Sequence, residues 1–569
     1  MKCLLLILLF TFWKFPYNPR IDADYFSAPV KIPLYLAGNF GELRANHFHS
    51  GIDIKTQGRT GIPVYAAADG WLSRVSISPF GFGLAIYIDH PNGYTTVYGH
   101  LDGLRDDLKE FARNIQYEKQ SFAIDIPVPN GLFKFEKGEL VAYSGNSGSS
   151  GGPHLHFEIR DTDSEHPLNP LLFNFKIADS SAPKIYSVLI YPLSNDAVVG
   201  GKTTPQRYET VFANGTYRLK DNPVVSVAGQ VGFGIQTLDF LDGSTSKCGV
   251  YDLQLAVNDE PVYEFKMNEL SFDESRYINS HIDYAHLQQY GRRYHKNWVE
   301  PGNHLNNYPV LENQGKIETE AGKTYHVNYL LKDVKGNSSQ LNFQVLGQAA
   351  GQARAAKKGI AIEYNSGAEI EKANASIAFE SGSFYSDFIL NYAEKPATTG
   401  FYSPTIQLLP SEVPVHRFFK LRLKTNGLPE NLEGKALIAA IDPKTGKRSS
   451  LGGSYKNGWV EAKARQLGSF AVTTDTNAPT ITPLNIQNRT TLTNKNKISF
   501  KITDDLSGID SYRGEIDGEW VLLEYDAKNA LIEYHFDTKR LQLGKNHELT
   551  LIVKDAVGNE KTYEAKFYR

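Results

Sequence analysis

The sequence predicts a mainly β protein built from several modules. Short apolar runs such as PVYAAADGWLSRVSI and GLAIYIDH recur, and each is bounded by glycine, proline, asparagine or aspartate, which is typical of strands joined by hairpins. Two longer sequence patterns occur twice, far apart in the chain, which indicates duplicated modules. A chain of 569 residues is also long enough for roughly three to five domains.

The N-terminus reads MKCLLLILLFTFWK, in which an apolar run of eleven residues lies between two lysines. A bilayer crossing needs about 20 apolar residues, so this run predicts no stable transmembrane span. Its length and flanking charge are typical of a secretory signal peptide, which we expect to span residues 1–20. The protein is then expected to be exported. An uncleaved anchor or a buried strand is the alternative.

Composition excludes several classes of protein. The chain is 41% hydrophobic and 22% charged, as in folded globular proteins, and its net charge is -3. This charge provides no basic field, so we expect no nucleic-acid partner. Two cysteines, Cys3 and Cys248, provide neither a disulfide framework nor a thiolate metal site.

One segment in the first part of the chain has the period of a helix instead of a strand. In DGLRDDLKEFARNIQYEK, the apolar residues Leu104, Leu108, Phe111 and Ile115 fall at offsets 0, 4, 7 and 11. This spacing places them along one face of an amphipathic helix. We expect strands in the rest of this region.

The part of the chain after residue 178 contains an internal repeat. DSSAPKI at residues 179–185 recurs as DTNAPTI at 475–481. GKTYHVNYLLKDVKGN at 322–337 recurs as GKNHELTLIVKDAVGN at 544–559, and each copy ends in a turn where asparagine and glycine tolerate positive φ. The repeat predicts two copies of one β-module.

We therefore expect an expanded immunoglobulin-like β-sandwich over residues 179–346 and a second one over 475–569. Between them, residues 347–474 open with the small-residue linker GQAAGQARAAKKG and continue in strand-like runs, which predicts a further β-rich domain. We expect these modules to act as spacers. Binding to glycan or to envelope proteins is the alternative.

The segment GGPHLHFEIR predicts a pair of histidines on one face of a strand. Successive side chains of a strand point to opposite faces, so His154 and His156 share one face. Leu155, Phe157 and Ile159 share the other face and suit a buried core. The two imidazoles are then left facing a cleft together.

A second motif, RANHFHSGIDIKT, supplies His49 and Asp53, four residues apart. Together with one of His154 and His156 they offer two nitrogens and one oxygen, which is the ligand set of a catalytic zinc site with an open position. The remaining imidazole, joined by His100 from TVYGHL, is then available for proton transfer or oxyanion binding. The ligand types also permit a non-haem iron site, although the motif spacing differs from that of iron oxygenases.

Taken together, these motifs resemble the lysostaphin-like zinc metallopeptidases, also called the LytM or M23 family. The resemblance covers about residues 28–175 and includes GIPVYAAADGWLSRV, GNSGSSGGPHLHFEIR and NPLLF. It implies an antiparallel β-sheet peptidase domain over residues 25–178 with one zinc ion as its cofactor.

The same resemblance implies roles for five residues. In that family the metal is held by the first histidine, the aspartate and the second histidine of His-x-His, which are here His49, Asp53 and His156. The two catalytic histidines that do not bind the metal fall on His100 and His154. All five positions carry the residue type that the family pattern requires.

The resemblance also implies a substrate and a location. It predicts hydrolysis of peptide bonds in peptidoglycan cross-links or stem peptides by a protein of the bacterial periplasm or cell envelope. A catalytically silent protein that binds and activates another cell-wall hydrolase is the alternative. Silent relatives have lost metal ligands, whereas this sequence has lost none, which favours the peptidase.

Three further residues beside the motifs are candidates for contact with substrate. Arg44 in GELRANHFH suits a substrate carboxylate, and His47 and His90 lie near the motif residues in sequence. A structural or solvent-exposed role is the alternative for each of them.

Overall fold

The computed structural model describes residues 22–356 and 358–569. The strands of these residues form six sheets, in which antiparallel pairs dominate, so the prediction of a mainly β chain is confirmed. The predicted signal peptide, residues 1–20, lies outside the described residues. Among the residues described, no helix has the length and apolar composition that a membrane crossing requires.

The first group of strands forms one antiparallel sheet of eleven strands with a single α-helix. Its elements are β1 (Leu36–Gly38), β2 (Ile52–Lys55), β3 (Pro63–Tyr65), β4 (Gly70–Ile77), β5 (Leu84–Asp89), β6 (Tyr94–Leu104), α1 (Asp106–Lys119), β7 (Ile124–Pro127), β8 (Lys134–Phe135), β9 (Leu140–Ser144), β10 (His154–Asp161) and β11 (Pro167–Leu168). The central order is β1-β2-β10-β6-β5-β4-β7, so β10 lies between β2 and β6.

Helix α1 forms where the periodicity predicted it, but it begins slightly later. Leu104, the first residue of the predicted stripe, is the last residue of β6. Leu108 is fully buried, and Phe111 and Ile115 pack against the same core. The helix ends because Gln120 takes a left-handed conformation with φ of +46°.

The second group of strands forms a twelve-stranded sheet around its own apolar core. Its elements are β12 (Lys184–Pro192), β13 (Val198–Val199), β14 (Gln206–Ala213), β15 (Thr216–Leu219), β16 (Val225–Leu238), β17 (Asp252–Val257), β18 (Glu260–Lys266), α2 (Ile278–His281), α3 (Tyr284–Tyr290), β19 (His295–Lys296), β20 (Val310–Leu311), β21 (Ile317–Thr319), β22 (Thr324–Lys332) and β23 (Ser338–Gly347).

The third group forms a six-stranded and a five-stranded sheet that share one core, which is a β-sandwich. Its strands are β24 (Ile360–Ile362), β25 (Ala368–Glu371), β26 (Ala375–Phe379), β27 (Phe388–Lys395), β28 (Thr405–Leu409), β29 (Phe419–Lys424), β30 (Ala436–Ile441), β31 (Arg448–Ser450), β32 (Ser454–Lys456), β33 (Trp459–Ala464) and β34 (Gly468–Thr474).

The fourth group is a smaller sandwich of four and five strands around one core. Its strands are β35 (Thr480–Pro483), β36 (Thr490–Thr491), β37 (Lys497–Thr503), β38 (Ile509–Ile516), β39 (Glu519–Trp520), β40 (Leu523–Asp526), β41 (Leu531–His535), β42 (Asn546–Asp555) and β43 (Glu560–Tyr568). Strand β23 ends at Gly347, one residue beyond the module predicted for 179–346, and the strands of the other three groups lie inside their predicted ranges. The module boundaries stay a prediction.

The repeated motifs occupy equivalent places in the second and fourth groups. β12 begins at Lys184 inside the first copy and pairs with β16, whereas β35 begins at Thr480 inside the second copy and pairs with β37. In the first copy, Nδ2 of Asn337 donates to the carbonyl oxygen of Asp179 at 3.1 Å. In the second copy, Nδ2 of Asn559 donates to the carbonyl oxygen of Asp475 at 3.0 Å. In both modules the repeated turn is therefore hydrogen-bonded to the segment that precedes the first strand of the module.

Candidate metal centre

Strand register brings together three segments that are far apart in sequence. His156 on β10 lies directly opposite Asp53 on β2 and Gly99 on β6. His100 follows Gly99, and its ring lies near those of His154 and His156. Close approach of β10 also requires glycine at position 51, where a Cβ atom would lie 2.4 Å from a backbone oxygen of β10.

The two faces of β10 are divided as the alternation predicted. Leu155, Phe157 and Ile159 are fully buried in the apolar core of the sheet. His154 and His156 point to the other face, where both reach Asp53. The strand therefore anchors the site through its apolar face.

Three donor atoms converge on the polar face. Nε2 of His49 lies 3.1 Å from Oδ1 of Asp53 and 3.1 Å from Nδ1 of His156. Nδ1 of His156 lies 2.9 Å from the same Asp53 oxygen. All three side chains are buried, with exposed fractions of 2–4%.

Each ligand ring has one nitrogen that faces the cluster and one that makes a hydrogen bond outside it, and this hydrogen bond fixes the tautomer of the ring. The carbonyl oxygen of Asn39 accepts a hydrogen bond from Nδ1 of His49 at 2.8 Å. Oε1 of Glu158 lies 2.9 Å from Nε2 of His156 and accepts a hydrogen bond from it. In the neutral rings, Nε2 of His49 and Nδ1 of His156 then carry lone pairs that face Asp53. These three acceptor atoms leave a place for a cation.

This donor set fits a zinc ion. Two imidazole nitrogens and one carboxylate oxygen are the ligand types of catalytic zinc sites, which keep a fourth position open. Metal–ligand distances near 2.0–2.1 Å place tetrahedral ligands about 3.3 Å apart, close to the separations of His49, Asp53 and His156.

The electrostatics of the cluster favour positive charge. Burial lowers the pKa of His156, but hydrogen bonds to Asp53 and Glu158 outweigh burial and raise it to about 9. Burial raises the pKa of Asp53, but neighbouring histidines, His49 foremost, outweigh it and hold the pKa well below its usual value. The site therefore stabilises positive charge between its carboxylates, whether a proton or a metal ion supplies it.

His154 and His100 lie beside the three donors. The carbonyl oxygen of Gly152 lies 2.8 Å from Nδ1 of His154, and Nε2 of that ring lies 3.3 Å from Asp53. The carbonyl oxygen of Ser147 accepts from Nδ1 of His100 at 2.9 Å. The two ring centroids are 4.8 Å apart. When Nδ1 donates to a backbone carbonyl in this way, the neutral form of either ring leaves Nε2 as the acceptor.

His100 is held under strain. Its φ of +57° is a left-handed conformation that costs a non-glycine residue about 1–3 kcal/mol, and such strain is typical of functional sites. Burial lowers its pKa to about 3, with further lowering from His156 and His154. The ring is therefore neutral at neutral pH.

Two family models match the chain. Residues 47–112 match the model of Peptidase family M23, and residues 360–475 match the model of a Zu5-like domain. The chain contains an M23 peptidase domain. The segment matched to that model holds His49, Asp53 and His100 and ends before β10. The Zu5-like match covers the module predicted only as β-rich.

Curated relatives of the M23 domain include an "Uncharacterized metalloprotease" of Haemophilus influenzae, 34% identical over 123 residues, which are 22% of this chain and 20% of that protein. "DD-carboxypeptidase/endopeptidase Mpg" of Neisseria meningitidis is 31% identical, covering 22% of each chain. "Peptidoglycan DD-endopeptidase ShyA" of Vibrio cholerae is 31% identical, covering 24% of this chain and 25% of that protein. The chain thus spans about a fifth to a quarter of these relatives.

Similar solved structures include a zinc containing peptidase from Vibrio cholerae. It is 27% identical and covers 26% of this chain and 39% of that chain, with a TM-score of 0.20. The catalytic domain of lysostaphin from Staphylococcus simulans is 20% identical and covers 24% of this chain and 90% of that chain, with a TM-score of 0.19.

Arg44 and His47 take different places at the edge of the M23 domain's cluster. The guanidinium of Arg44 pairs with Oδ2 of Asp53 at 2.5 Å, so it neutralises the carboxylate oxygen that faces away from the histidines. His47 is exposed, and its Nδ1 lies 2.8 Å from the carbonyl oxygen of Ala45. Arg44 is thus part of the cluster, while His47 lies at the surface.

The structure does not bring His90 to the cluster. Strand β5 begins near His100 with Leu84, and His90 lies beyond the opposite end of the strand. Its Nδ1 lies 2.8 Å from the carbonyl oxygen of Asp69 and its Nε2 2.8 Å from Oγ1 of Thr96. With both nitrogens occupied and 2% exposure, this placement favours the structural alternative.

Sequence reasoning missed two residues that support His156. The buried Glu158 carboxylate holds its Nε2, and Phe82 stacks on its ring with centroids 4.8 Å apart. The signal for Glu158 was present, since a charged residue two positions after His156 points to the same face of β10. No local pattern indicated Phe82, which comes from the loop before β5.

The fourth module contacts the glycine turn that supports His100. Nζ of Lys528 contacts the carbonyl oxygens of Asn146 and Gly148, the latter at 3.1 Å. These residues flank Ser147, whose carbonyl oxygen holds His100. The fourth module thus lies beside the candidate centre.

Proposed function

We propose that this protein is an exported zinc metalloendopeptidase that hydrolyses peptide bonds in peptidoglycan cross-links or stem peptides. The convergence of His49, Asp53 and His156 within 3.1 Å carries the proposal. Relatives named as peptidoglycan DD-endopeptidases support the substrate class and a location in the periplasm or cell envelope.

The chain's own residues supply the proton chemistry. A zinc ion bound by His49, Asp53 and His156 would supply Lewis acidity, which polarises a carbonyl group and acidifies water near neutral pH. His154 and His100 keep Nδ1 on backbone carbonyls, so each presents Nε2 to the cleft. Either Nε2 accepts a proton while the ring is neutral, and donates one to an oxyanion or a leaving amine once the ring is protonated.

Supporting residues keep these groups in place. Glu158 and the carbonyl oxygen of Asn39 hold the two ligand imidazoles in the tautomers that present lone pairs. Arg44 balances the charge on Asp53. The β-modules of the second to fourth groups are proposed to position the M23 domain in the envelope, with contact to envelope proteins as the alternative.

The proposal is tested by zinc content and by mass spectrometry of fragments released from purified peptidoglycan. Wild type should bind one zinc per chain and release fragments. His156→Ala should lose both zinc and activity, whereas His154→Ala should keep zinc and lose about 10²–10⁴-fold in rate. His326→Ala, an exposed histidine of β22, is the matched control and should behave as wild type.

Two outcomes would contradict the proposal. A metal-free wild type without turnover would favour the silent binding protein. Release of fragments by His156→Ala at the wild-type rate would show that the cluster is not the reacting site.

A further inference from the structure

We propose that the second module binds a hard divalent cation of the calcium class between Asp179, Asp239 and Asp333, where this module meets the M23 domain. The three residues come from the linker before β12, the end of β16 and the turn after β22. Their carboxylate oxygens lie within 4.8 Å of one another. The site does not rest on the proposed peptidase activity.

These carboxylates form a buried group of like charge. Asp239 and Asp333 have exposed fractions of only 3% and 4%, and Asp179 is half-buried. In the part of the chain that the structure describes, the charged neighbours acting most strongly on Asp179 and Asp239 are other aspartates. Buried charges are stable only when they are paired or when they coordinate a metal.

One atom of the group is left without a partner. Oδ1 of Asp239 is buried and makes no hydrogen bond with any described residue. An unsatisfied buried acceptor costs free energy, so an unmet oxygen points to a ligand that is bound there. This observation is independent of the clustering of charge.

The space beside Asp239 has the size of a single small ligand. Asp179, Asp239 and Asp333 line a cavity of about 10 Å³ together with Asn39 and Gly249. A cavity of this size holds one water or one ion. A water would satisfy the free oxygen but would leave the carboxylate charges unbalanced, so a cation fits better.

The chemistry of the donors selects the type of cation. The cluster consists of carboxylate oxygens, which suit calcium or magnesium better than zinc. Calcium takes six to eight oxygens in a flexible geometry, which suits three aspartates that come from separate loops. Calcium is therefore the better candidate of the two.

The internal repeat reproduces two of the three positions, while the third carboxylate of the second copy comes from Asp505 and not from Asp555, the counterpart of Asp333. Asp475 and Asp504 occupy the places of Asp179 and Asp239, because Asp504 follows β37 as Asp239 follows β16. Asp475, Asp504 and Asp505 also lie within 4.8 Å of one another, and Oδ1 of Asp504 has no partner among the described residues. The same unmet oxygen thus occurs at the same position of both copies.

The position of the site links it to the candidate zinc centre. The side chain of Asn39 makes two hydrogen bonds of 2.8 Å with the backbone of Gly249, and both residues line the cavity. The carbonyl oxygen of Asn39 accepts from His49. A cation bound to Asp239 would stiffen this junction and the loop that carries His49.

The test uses the full-length chain, loaded with zinc and stripped of calcium by a calcium-selective chelator. Calcium chloride is titrated by calorimetry, and the melting temperature is measured with and without 10 mM calcium. Wild type should bind with a dissociation constant of about 10⁻⁴ M, as extracellular modules do, and its melting temperature should rise by about 5–10 °C.

Asp239→Asn is the diagnostic variant, and Asp259→Asn, an exposed residue of the same module, is its control. Without calcium, Asp239→Asn should melt no lower than wild type, because it removes one of the repelling charges. With calcium it should lose most of the stabilisation, whereas Asp259→Asn keeps it. A variant that melts like wild type without calcium, but is not stabilised by calcium, has lost the binding site and not the fold.

The proposal would be overturned if calcium did not raise the melting temperature of wild type. It would also be overturned if calcium stabilised Asp239→Asn and wild type equally. Neither measurement uses peptidoglycan, so failure here and failure of the proposed hydrolase are distinguishable.

Discussion

Oε1 of Glu158 lies 2.9 Å from Nε2 of His156, and both side chains stand on the same face of β10. Glu158 is fully buried and pairs through its other oxygen with Arg160 at 2.6 Å. Burial raises the pKa of Glu158, but Arg160 and His156 outweigh it and hold the pKa at about 2. The carboxylate therefore stays charged and fixes the tautomer that presents Nδ1 of His156 to Asp53.

Replacement of Glu158 by glutamine should weaken zinc binding by about 10–100-fold, which is the usual effect of removing such a supporting carboxylate. The amide keeps the shape but lacks the charge that favours a proton on Nε2 of His156. Zinc affinity is measured by competition with a chelator. Glu165→Gln is the control, because Glu165 is 66% exposed and lies 3.8 Å from Arg160. Equal zinc affinity in the two variants would contradict this role.

Much of this strand could be predicted from the sequence. Alternation placed His154 and His156 on one face and Leu155, Phe157 and Ile159 on the other, because the side-chain period of a strand is two. The residue that lies opposite His156 could not be predicted in this way. Asp53 is 103 positions earlier, and its register against β10 depends on how the whole sheet pairs.

The position of His90 also could not be predicted from its distance along the chain. His90 lies close in sequence to the TVYGHL motif, but β5 and β6 run antiparallel, so His90 and His100 lie at opposite ends of this strand pair. Leu104 likewise follows the helical period and yet completes β6, because strand pairing outweighs local propensity at that position.

His90 should make the stability of the M23 domain depend on pH. Burial lowers its pKa from the usual 6.5 to about 4, so the unfolded chain binds the proton more tightly. The contribution of neutral His90 to the free energy of unfolding is then fully present above pH 6.5 and is lost as the pH falls towards 4. At pH 5 the loss from this residue is about 2 kcal/mol.

Calorimetric unfolding of wild type and His90→Gln between pH 7.5 and pH 5 measures this effect. The variant should be less stable than wild type at pH 7.5. The difference in free energy of unfolding between the two should narrow as the pH falls, because only wild type loses stability when His90 is protonated. His47→Gln at the surface provides the control. A gap that stays constant across this range would refute the assignment.

The shared turn of the repeat predicts equal effects in two modules. Asn337 and Asn559 each donate to a linker carbonyl oxygen and to an aspartate at 2.6 Å. Replacing either by alanine leaves buried acceptors unpaired, at a cost of about 1–3 kcal/mol. Calorimetry in calcium-free buffer should show a similar loss for both variants. Lys335→Ala, at an exposed position of the first turn, should change little. Loss in one copy alone would contradict the equivalence.

Tyr117 on α1 should control how firmly the fourth module rests on the M23 domain. The guanidinium of Arg540 lies 3.6 Å from the centre of its ring, and Trp520 contacts the ring edge-on at 5.1 Å. Tyr117→Ala removes both contacts, and the cation–π contact alone is worth about 0.5–2 kcal/mol. Because this free energy opposes separation of the two surfaces, amide hydrogen exchange across residues 517–540 should accelerate by about 2–30-fold, as measured by mass spectrometry.

Tyr65→Ala is the control, because it removes a comparable contact with Lys31 inside the M23 domain and should leave residues 517–540 protected. Equal exchange in the two variants would mean that the fourth module is held by its other contacts, such as that of Lys528 with the glycine turn.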